Sequence, residues 1–329
     1  MSLHVVLGKG PVGSTLASHL IGLGHEVVVV SRSGAPTEAA TERTRGSRTG
    51  TVRVHDASVH HVAADAANPS ALSSVAVGAA SIINAANPPY HRWPQLWPAL
   101  NESAMVAAER TGATLVTASN LYGYGEGSGV MTEDTPQRST ERKGAVRAQM
   151  WRDALERHDA GRIRATEVRA SDYVGPQTPG PTHAGERLFG PLLAGKTLHP
   201  VGDPNQPHAW TYLPDYVAAL AAAATLEQAW GRPWLAPTNA PLSFTELATR
   251  CAAEAGVALP KIAPTSPGTL RAIGVFVPPL REVALVAYQQ TAPFVVDSTL
   301  SERVLGVSAT SWSEIVTRAT AWWVEHLAR

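Results

Sequence analysis

The chain has 329 residues, with 27 Lys and Arg against 27 Asp and Glu, so its formal charge is zero. It carries no general basic field of the kind that draws a protein to nucleic acid or an acidic membrane. One cysteine, Cys251, precludes an intrachain disulfide, and no Cys/His cluster has metal-ligand spacing, so no metal is expected. The first apolar run, residues 3–7, is too short for a signal h-region or a membrane span, and the expected compartment is the reducing cytoplasm.

In chain order, residues 3–7 read as a β-strand, 12–23 as a helix ended by Gly24, and Glu-Val-Val-Val-Val-Ser at 26–31 as a second, fully buried strand. Residues 58–63 read as a third strand and Ala-Ser-Ile-Ile-Asn-Ala at 80–85 as a fourth. A long helix follows at 93–110, then a fifth strand at 114–118, a helix at 144–158 and a sixth strand at 164–169. Short β-branched runs alternating with alanine-rich helices are the sequence form of a parallel sheet covered on both faces. The expected fold is α/β, a Rossmann-type doubly wound parallel sheet with a smaller C-terminal lobe on the substrate side.

Three segments fall outside this rhythm. Residues 35–50, rich in Thr, Arg and Gly, read as an exposed, mobile loop. Residues 123–142 are polar and turn-rich and leave the C-terminal end of a strand, where ligands sit in open α/β sheets. Residues 257–293 are studded with proline and read as a lobe of short elements. On this division residues 1–175 form a dinucleotide-binding domain to which 208–240 return, while 176–207 and 241–329 mostly form the lobe.

Gly8-Lys9-Gly10-Pro11-Val12-Gly13 follows the first strand and opens the first helix, the context in which a glycine pattern is informative. Gly8 permits a tight turn, Gly10 lets the backbone approach a pyrophosphate, and Gly13 lets helix and strand pack closely. The helix start then offers free N–H groups to phosphates. An Asp or Glu that would hold a ribose 2′-hydroxyl is expected about 20 residues further on. That place holds Ser31-Arg32-Ser33. A guanidinium suits a 2′-phosphate, and Lys9 adds a charge on the same side, so the expected cofactor is NADP(H). Asp65, followed by Ala66, is placed to accept from an adenine amino group or to cap a helix.

These residues resemble the short-chain dehydrogenase/reductase superfamily, in its extended, NAD-dependent epimerase/dehydratase-like branch. The likeness continues through Ile82 to Ala86 and Asn87, which the resemblance places against the cofactor, then Leu121-Tyr122-Gly123, and Val168-Arg169 to Val174-Gly175-Pro176. Later come Val201-Gly202-Asp203, Trp210 to Val217, and Leu242 to Leu247. Two features depart from the branch: the first glycine interval is one residue short, and the Ser-Tyr-Lys triad that the resemblance implies is missing. The serine place falls at Ala118, beside Ser119 and Asn120; the tyrosine place falls at or near Lys143 and the lysine place at Arg147.

Arg147 remains able to hold the nicotinamide ribose but cannot act as a base. Lys143, Tyr122 and Tyr124, with Asn120 beside them, are the candidates for the missing proton chemistry, Tyr173 is a further phenol, and each is equally readable as packing. Lys143 also fits the solvated face of a helix. His91, in the stiff Pro88-Pro89-Tyr90-His91 stretch, is the histidine placed to shuttle a proton. Nine tryptophans and the Gly/Pro-rich stretch 175–185 suit a lobe that encloses an apolar ligand, aromatic or polycyclic. The leading function is an NADP(H)-dependent oxidoreductase reducing a ketone or enone on a small molecule. The alternatives are a nucleotide-sugar epimerase or dehydratase, placed second because oxidation of a hydroxyl needs a base, and a non-catalytic NADP(H)-binding sensor. The helices at 93–110 and 144–158 match those that pair in dimers of the branch, which implies a homodimer.

Overall fold

The structure is a computed structural model that describes residues 1–34, 59–178 and 182–328. The 35–50 segment read as a loop, and Ser58 at the head of the third strand, lie outside the described residues.

The first half builds β1 (Leu3–Leu7), α1 (Pro11–Gly22), β2 (Glu26–Ser31), β3 (Val59–Ala63), α2 (Pro69–Val75), β4 (Ser81–Asn84), α3 (Trp93–Thr111) and β5 (Thr114–Asn120). There follow β6 (Val130–Met131), α4 (Arg142–Asp159), β7 (Ala165–Ala170) and β8 (Asp172–Val174). Seven strands form one parallel sheet in the order β10-β7-β5-β4-β1-β2-β3, where β10 (Pro233–Leu235) adds the edge beside β7. Strand order reverses at β1, which lies between β2 and β4, so the crevice beyond the carboxyl ends of β1 and β4 is the place where this topology accepts ligands.

Side-chain alternation assigns the two sheet faces. Val6, Ile83 and Val116 pack with Leu16 and Leu20 of α1 and with Tyr216 and Leu220 of α6 (Leu213–Thr225). Their neighbours Val5, Leu7, Ile82 and Leu115 pack with Leu72, Met105 and Trp151 from α2, α3 and α4. Truncating any such buried leucine to alanine costs about 2–5 kcal/mol, so these stripes fix which helix lies on which face.

A second cluster joins α5 (Glu186–Leu193), α7 (Phe244–Glu254) and the C-terminal helix Trp312–Leu327, with Phe189 stacked on Trp323 at 5.6 Å. Residues 257–293 contain the helices Pro267–Ile273 and Pro278–Val286 and a 3-10 turn, tied to the chain by single bridges such as Leu198 to Ile262. No described helix is long and apolar enough to cross a membrane.

Two boundaries differ from expectation for identifiable reasons. β5 runs two residues past Ala118 because Ser119 and Asn120 pair with Arg169 and Ala170 of β7. α4 begins at Arg142, ahead of Gly144, because the Glu141 carboxylate accepts from the N–H groups of Lys143 at 2.8 Å and Gly144 at 3.2 Å.

Candidate active site

The glycine loop follows from two backbone constraints. Gly8 has φ +97°, and a Cβ there would lie 2.8 Å from the Ala85 carbonyl oxygen. A Cβ on Gly13 would strike the Gly8 carbonyl oxygen, which is how closely α1 folds back on the loop. Gly10, at the N-cap of α1, has open space where its side chain would be, and Pro11 occupies the first turn, where its missing N–H costs nothing.

The loop forms one end of a cavity of about 300 Å³ at the carboxyl ends of four strands. Gly10, Pro11 and Val12 come from the loop after β1, and Ala85, Ala86 and Asn87 follow β4. Ala118, Ser119 and Asn120 end β5, and Ala170 to Tyr173 follow β7. Tyr90, Trp93, Tyr122, Arg147, Thr182 and Gln289 complete the wall.

Arg147, one turn into α4, is buried; its guanidinium carbon lies 4.9 Å from the Trp93 ring centre and 4.2 Å from that of Trp97. Its Nε and Nη1 are buried and meet no hydrogen-bond acceptor. Burial lowers its pKa, partly opposed by the surrounding tyrosines and Glu167. An unpaired buried guanidinium is costly, so its placement at a cavity fits a ligand that brings oxygen acceptors, as the ribose hydroxyls of a dinucleotide do.

The tyrosines divide. Tyr122 lines the cavity and its hydroxyl accepts from Tyr90 at 3.2 Å. Burial and the Asp172 charge push Tyr122 up to about 12, against the hydrogen bonds from Tyr90 and Gln289 and the Arg147 charge, so the phenol stays protonated at neutral pH. Tyr173 also lines the cavity, and burial pushes it up to about 12 as well. Tyr124, a candidate for the proton chemistry, turns the other way and is not in the cavity wall. Its hydroxyl donates to the Thr132 carbonyl at 2.9 Å and accepts from Arg169 at 2.8 Å, because the 3-10 turn Leu121–Gly123 points successive side chains apart.

Lys143 is neither a wall residue of the cavity nor on a solvated helix face. It is buried, 2.6 Å from Glu282 and 3.5 Å from Glu141, with its ammonium 4.7 Å from the Tyr90 ring centre. It reaches the cavity only through that ring. Asn120, whose side chain accepts from the Tyr122 N–H at 3.2 Å, holds the turn that presents Tyr122. His91 is exposed and absent from the cavity wall.

Beyond β2, Lys9 donates to the Ser33 hydroxyl at 2.8 Å, which brings the loop cation to the end of that strand; Ser31 is half-buried and Arg32 exposed there. Asp65 is exposed and accepts from the Ala67 N–H at 3.0 Å, while Ala66 packs under the sheet. The helix that follows is capped by Asn68 and not by Asp65.

Sequence reasoning missed Asp172 and His208. Asp172 lines the cavity, and its Oδ2 lies 3.0 Å from Nε2 of His208 and accepts from Gln290 at 3.1 Å. Burial opposes its ionisation, but the His208 hydrogen bond, the His183 and His208 charges and the Gln290 bond outweigh it and hold the carboxyl at about 2. The residues lie 36 positions apart, and neither sits in a motif; the pairing of β8 with β9 (Trp210–Tyr212) brings them together. Among the described residues no group of three or more His, Cys, Asp or Glu is arranged to hold a metal ion.

The parallel sheet, the glycine turn at its reversal point and the cavity beyond define a Rossmann-type α/β protein of the extended short-chain dehydrogenase/reductase kind. The chain belongs to the NAD dependent epimerase/dehydratase family, whose model matches residues 5–233. Among solved structures it is similar to MoeE5 in complex with UDP-glucose and NAD, at 21% identity over 98% of this chain and 99% of that one, with a TM-score of 0.75. The UDP-glucuronic acid 4-epimerase from Bacillus cereus in complex with NAD superposes with a TM-score of 0.77 at 16% identity, over 99% of this chain and 100% of that one. The dTDP-glucose 4,6-dehydratase from Bacillus anthracis str. Ames in complex with NAD gives 0.78 at 13% identity, over 99% and 97%. No curated protein matches the sequence at a significant level.

Proposed function

We propose that this chain is a nicotinamide-dinucleotide-dependent enzyme of the epimerase/dehydratase type that works on a hydroxyl-bearing carbon of a nucleotide sugar. The observation that carries the reading is Arg147, which has two buried, unpartnered nitrogens and lines one cavity with Tyr122 and the glycine loop. Family membership and the nucleotide sugars named with the similar structures support this class over a plain ketone reductase.

A bound nicotinamide supplies hydride acceptance and donation at the sugar carbon. The backbone N–H groups of Gly10 and Val12 would cradle the diphosphate, and Arg147 would hold ribose oxygens. Tyr122, kept protonated, donates a hydrogen bond to the reacting oxygen and stabilises charge there. The aromatic wall of Tyr90 and Trp93 excludes water from that face. Lys9, Arg32 and the lack of an acid at Ser31 to Ser33 support NADP(H) as the preferred form.

A protonated Tyr122 suits delivery of hydride to a carbonyl, and this favours a second reading, net reduction of a ketone or enone at the expense of NADPH. One set of assays separates the two. The protein is titrated with NADPH, NADH and their oxidised forms by fluorescence, then incubated with UDP-glucose, UDP-glucuronic acid or dTDP-glucose and the products read by NMR. An epimer or 4-keto sugar without net cofactor loss is expected, whereas steady NADPH consumption with ketones establishes the second reading. Absence of any binding response to all four dinucleotides overturns both.

A further inference from the structure

Two hydrogen-bond acceptors face one imidazole beside the cavity. Nδ1 of the buried His208 lies 3.1 Å from the Gln289 carbonyl oxygen, and Nε2 lies 3.0 Å from Oδ2 of Asp172. A carbonyl oxygen and an ionised carboxylate only accept, and a neutral imidazole carries one N–H. The arrangement therefore holds one proton more than a neutral imidazole and a carboxylate together bring. With the Asp172 carboxyl held low, that proton rests on Nε2 as imidazolium, and the Nε2 to Oδ2 line is its path toward the cavity. Without that proton, one ring nitrogen would face an acceptor lone pair to lone pair, Oδ2 at 3.0 Å or the Gln289 carbonyl at 3.1 Å according to tautomer, in a buried site where an unmade hydrogen bond is most costly.

The pair opens on the reaction space. Asp172 is a wall residue of the cavity, a quarter of its side chain remains exposed, and its Oδ1 takes no hydrogen bond from the described residues. His208 is locked behind it, with ring centres 4.6 Å from Trp210 and 5.5 Å from Phe294. The titratable and charged groups around the pair are His183 and Arg187 on one side, Tyr122 and Tyr90 across the cavity, and Tyr173 and Arg147 on the sheet side. Burial keeps His183 below its usual value, so it does not contribute a second standing charge at neutral pH.

We propose that Asp172 and His208 are a proton-donating pair for the oxygen of the substrate carbonyl, in the place of the tyrosine-lysine couple this chain lacks; the proposal rests on the function given above. A bound reduced nicotinamide would supply the hydride for the new C–H bond, and the carbonyl oxygen, which takes the π electrons, then needs a proton. The oxygen forms an O–H bond with a proton relayed through Asp172, which gives one up as it takes the Nε2 proton of His208, leaving a neutral imidazole beside an ionised carboxylate. The pair is then one proton short and recovers it from water or, when the same hydroxyl is oxidised in the reverse direction, from that hydroxyl. Tyr122 donates a hydrogen bond to the oxygen without giving up its proton.

The test begins with the protein alone. Samples labelled with 15N-histidine and 13C-aspartate, as wild type, Asp172→Asn and His208→Gln, are read by NMR at neutral pH. Expected is one histidine with both ring nitrogens protonated beside an ionised aspartate, a signature lost in both variants. A neutral His208 facing an ionised Asp172 overturns the proposal. On the sugar or ketone that turns over, Asp172→Asn is expected to lower kcat about 100-fold or more while NADPH affinity is kept. His208→Gln, which keeps a donor toward Asp172 but cannot release a proton, is expected to remove the alkaline limb of the kcat profile. Wild-type kcat in Asp172→Asn overturns the proposal even if the proton is found. If no dinucleotide binds, the proposed function fails on its own, and the NMR result still decides whether the pair holds its proton.

Discussion

The guanidinium carbon of Arg147 lies 4.2 Å from the Trp97 ring centre and 4.9 Å from that of Trp93, two indoles set edge to face at 80°, and two of its nitrogens are buried and unbonded. Contact with both rings fixes the group at the cavity wall, and a lysine, without a delocalised planar cation, cannot copy it. Arg147→Met keeps an apolar stem between the rings and removes a buried charge that no carboxylate pairs. We expect its Tm to equal or exceed that of the wild type, and dinucleotide affinity to fall about tenfold or more in fluorescence titration. Unchanged affinity would place the free nitrogens toward something other than the cofactor.

Tyr122 and Tyr124 are two residues apart and should give opposite phenotypes. Tyr122→Phe removes the hydroxyl at the cavity, and kcat should drop about 100-fold with little change in Tm. Tyr124→Phe removes the partner of Arg169 far from the cavity, so activity should persist while stability falls by about 1–3 kcal/mol, read by urea unfolding. Loss of turnover in a folded Tyr124→Phe protein would reverse the assignment of the two rings.

Glu167 and Arg169 form a fully buried ion pair at 2.6 Å on one face of β7. Cutting one partner leaves the other charge buried and uncompensated, so Glu167→Gln should cost about 3–5 kcal/mol in the same urea assay. A cost below about 1 kcal/mol would mean that water reaches Arg169.

The carboxyl of Asp172 is held at about 2, below its unfolded value, so its contribution is present above pH 4 and lost as pH falls toward 2. The linked stabilisation is on the order of 2 kcal/mol. Between pH 5 and pH 2.5 the wild type should therefore lose more stability than Asp172→Asn in parallel denaturant titrations. Identical losses would show that the carboxyl titrates normally.

Arg32 is exposed at the end of β2, where an acid would favour the unphosphorylated ribose. Arg32→Asp should lower NADPH affinity and raise that for NADH, inverting or levelling the ratio measured side by side. An unaltered ratio would remove the 2′-phosphate from this end of the site.

Much of the fold was legible because it depends on local periodicity. Leu3–Leu7, Glu26–Ser31 and the 80–85 run announce strands whose faces both need burial, and the glycines between the first strand and helix announce the turn. The parallel pairing followed once these repeats were seen as β-α-β units, since parallel strands need crossover helices, but their order in the sheet did not. The wall of the cavity was partly legible: Gly10, Asn87 and Arg147 lie at positions that sequence alone marked.

What the sequence could not supply was direction. Tyr122 and Tyr124 are indistinguishable as letters, and only the turn between them sends one ring to the cavity and the other to Arg169. Lys143 read as a candidate acid or a solvated cation, yet the 139-residue separation from Glu282 hides the contact that buries it. Asp172 and His208 are likewise joined by strand pairing across 36 residues, a contact with no local signature. Sequence by itself determined the sheet, the glycine turn and the loss of the usual triad, because each is written in short-range spacing. Tertiary structure alone decided which charged and phenolic groups share a cavity, because that depends on long-range packing of side chains whose neighbours lie far along the chain.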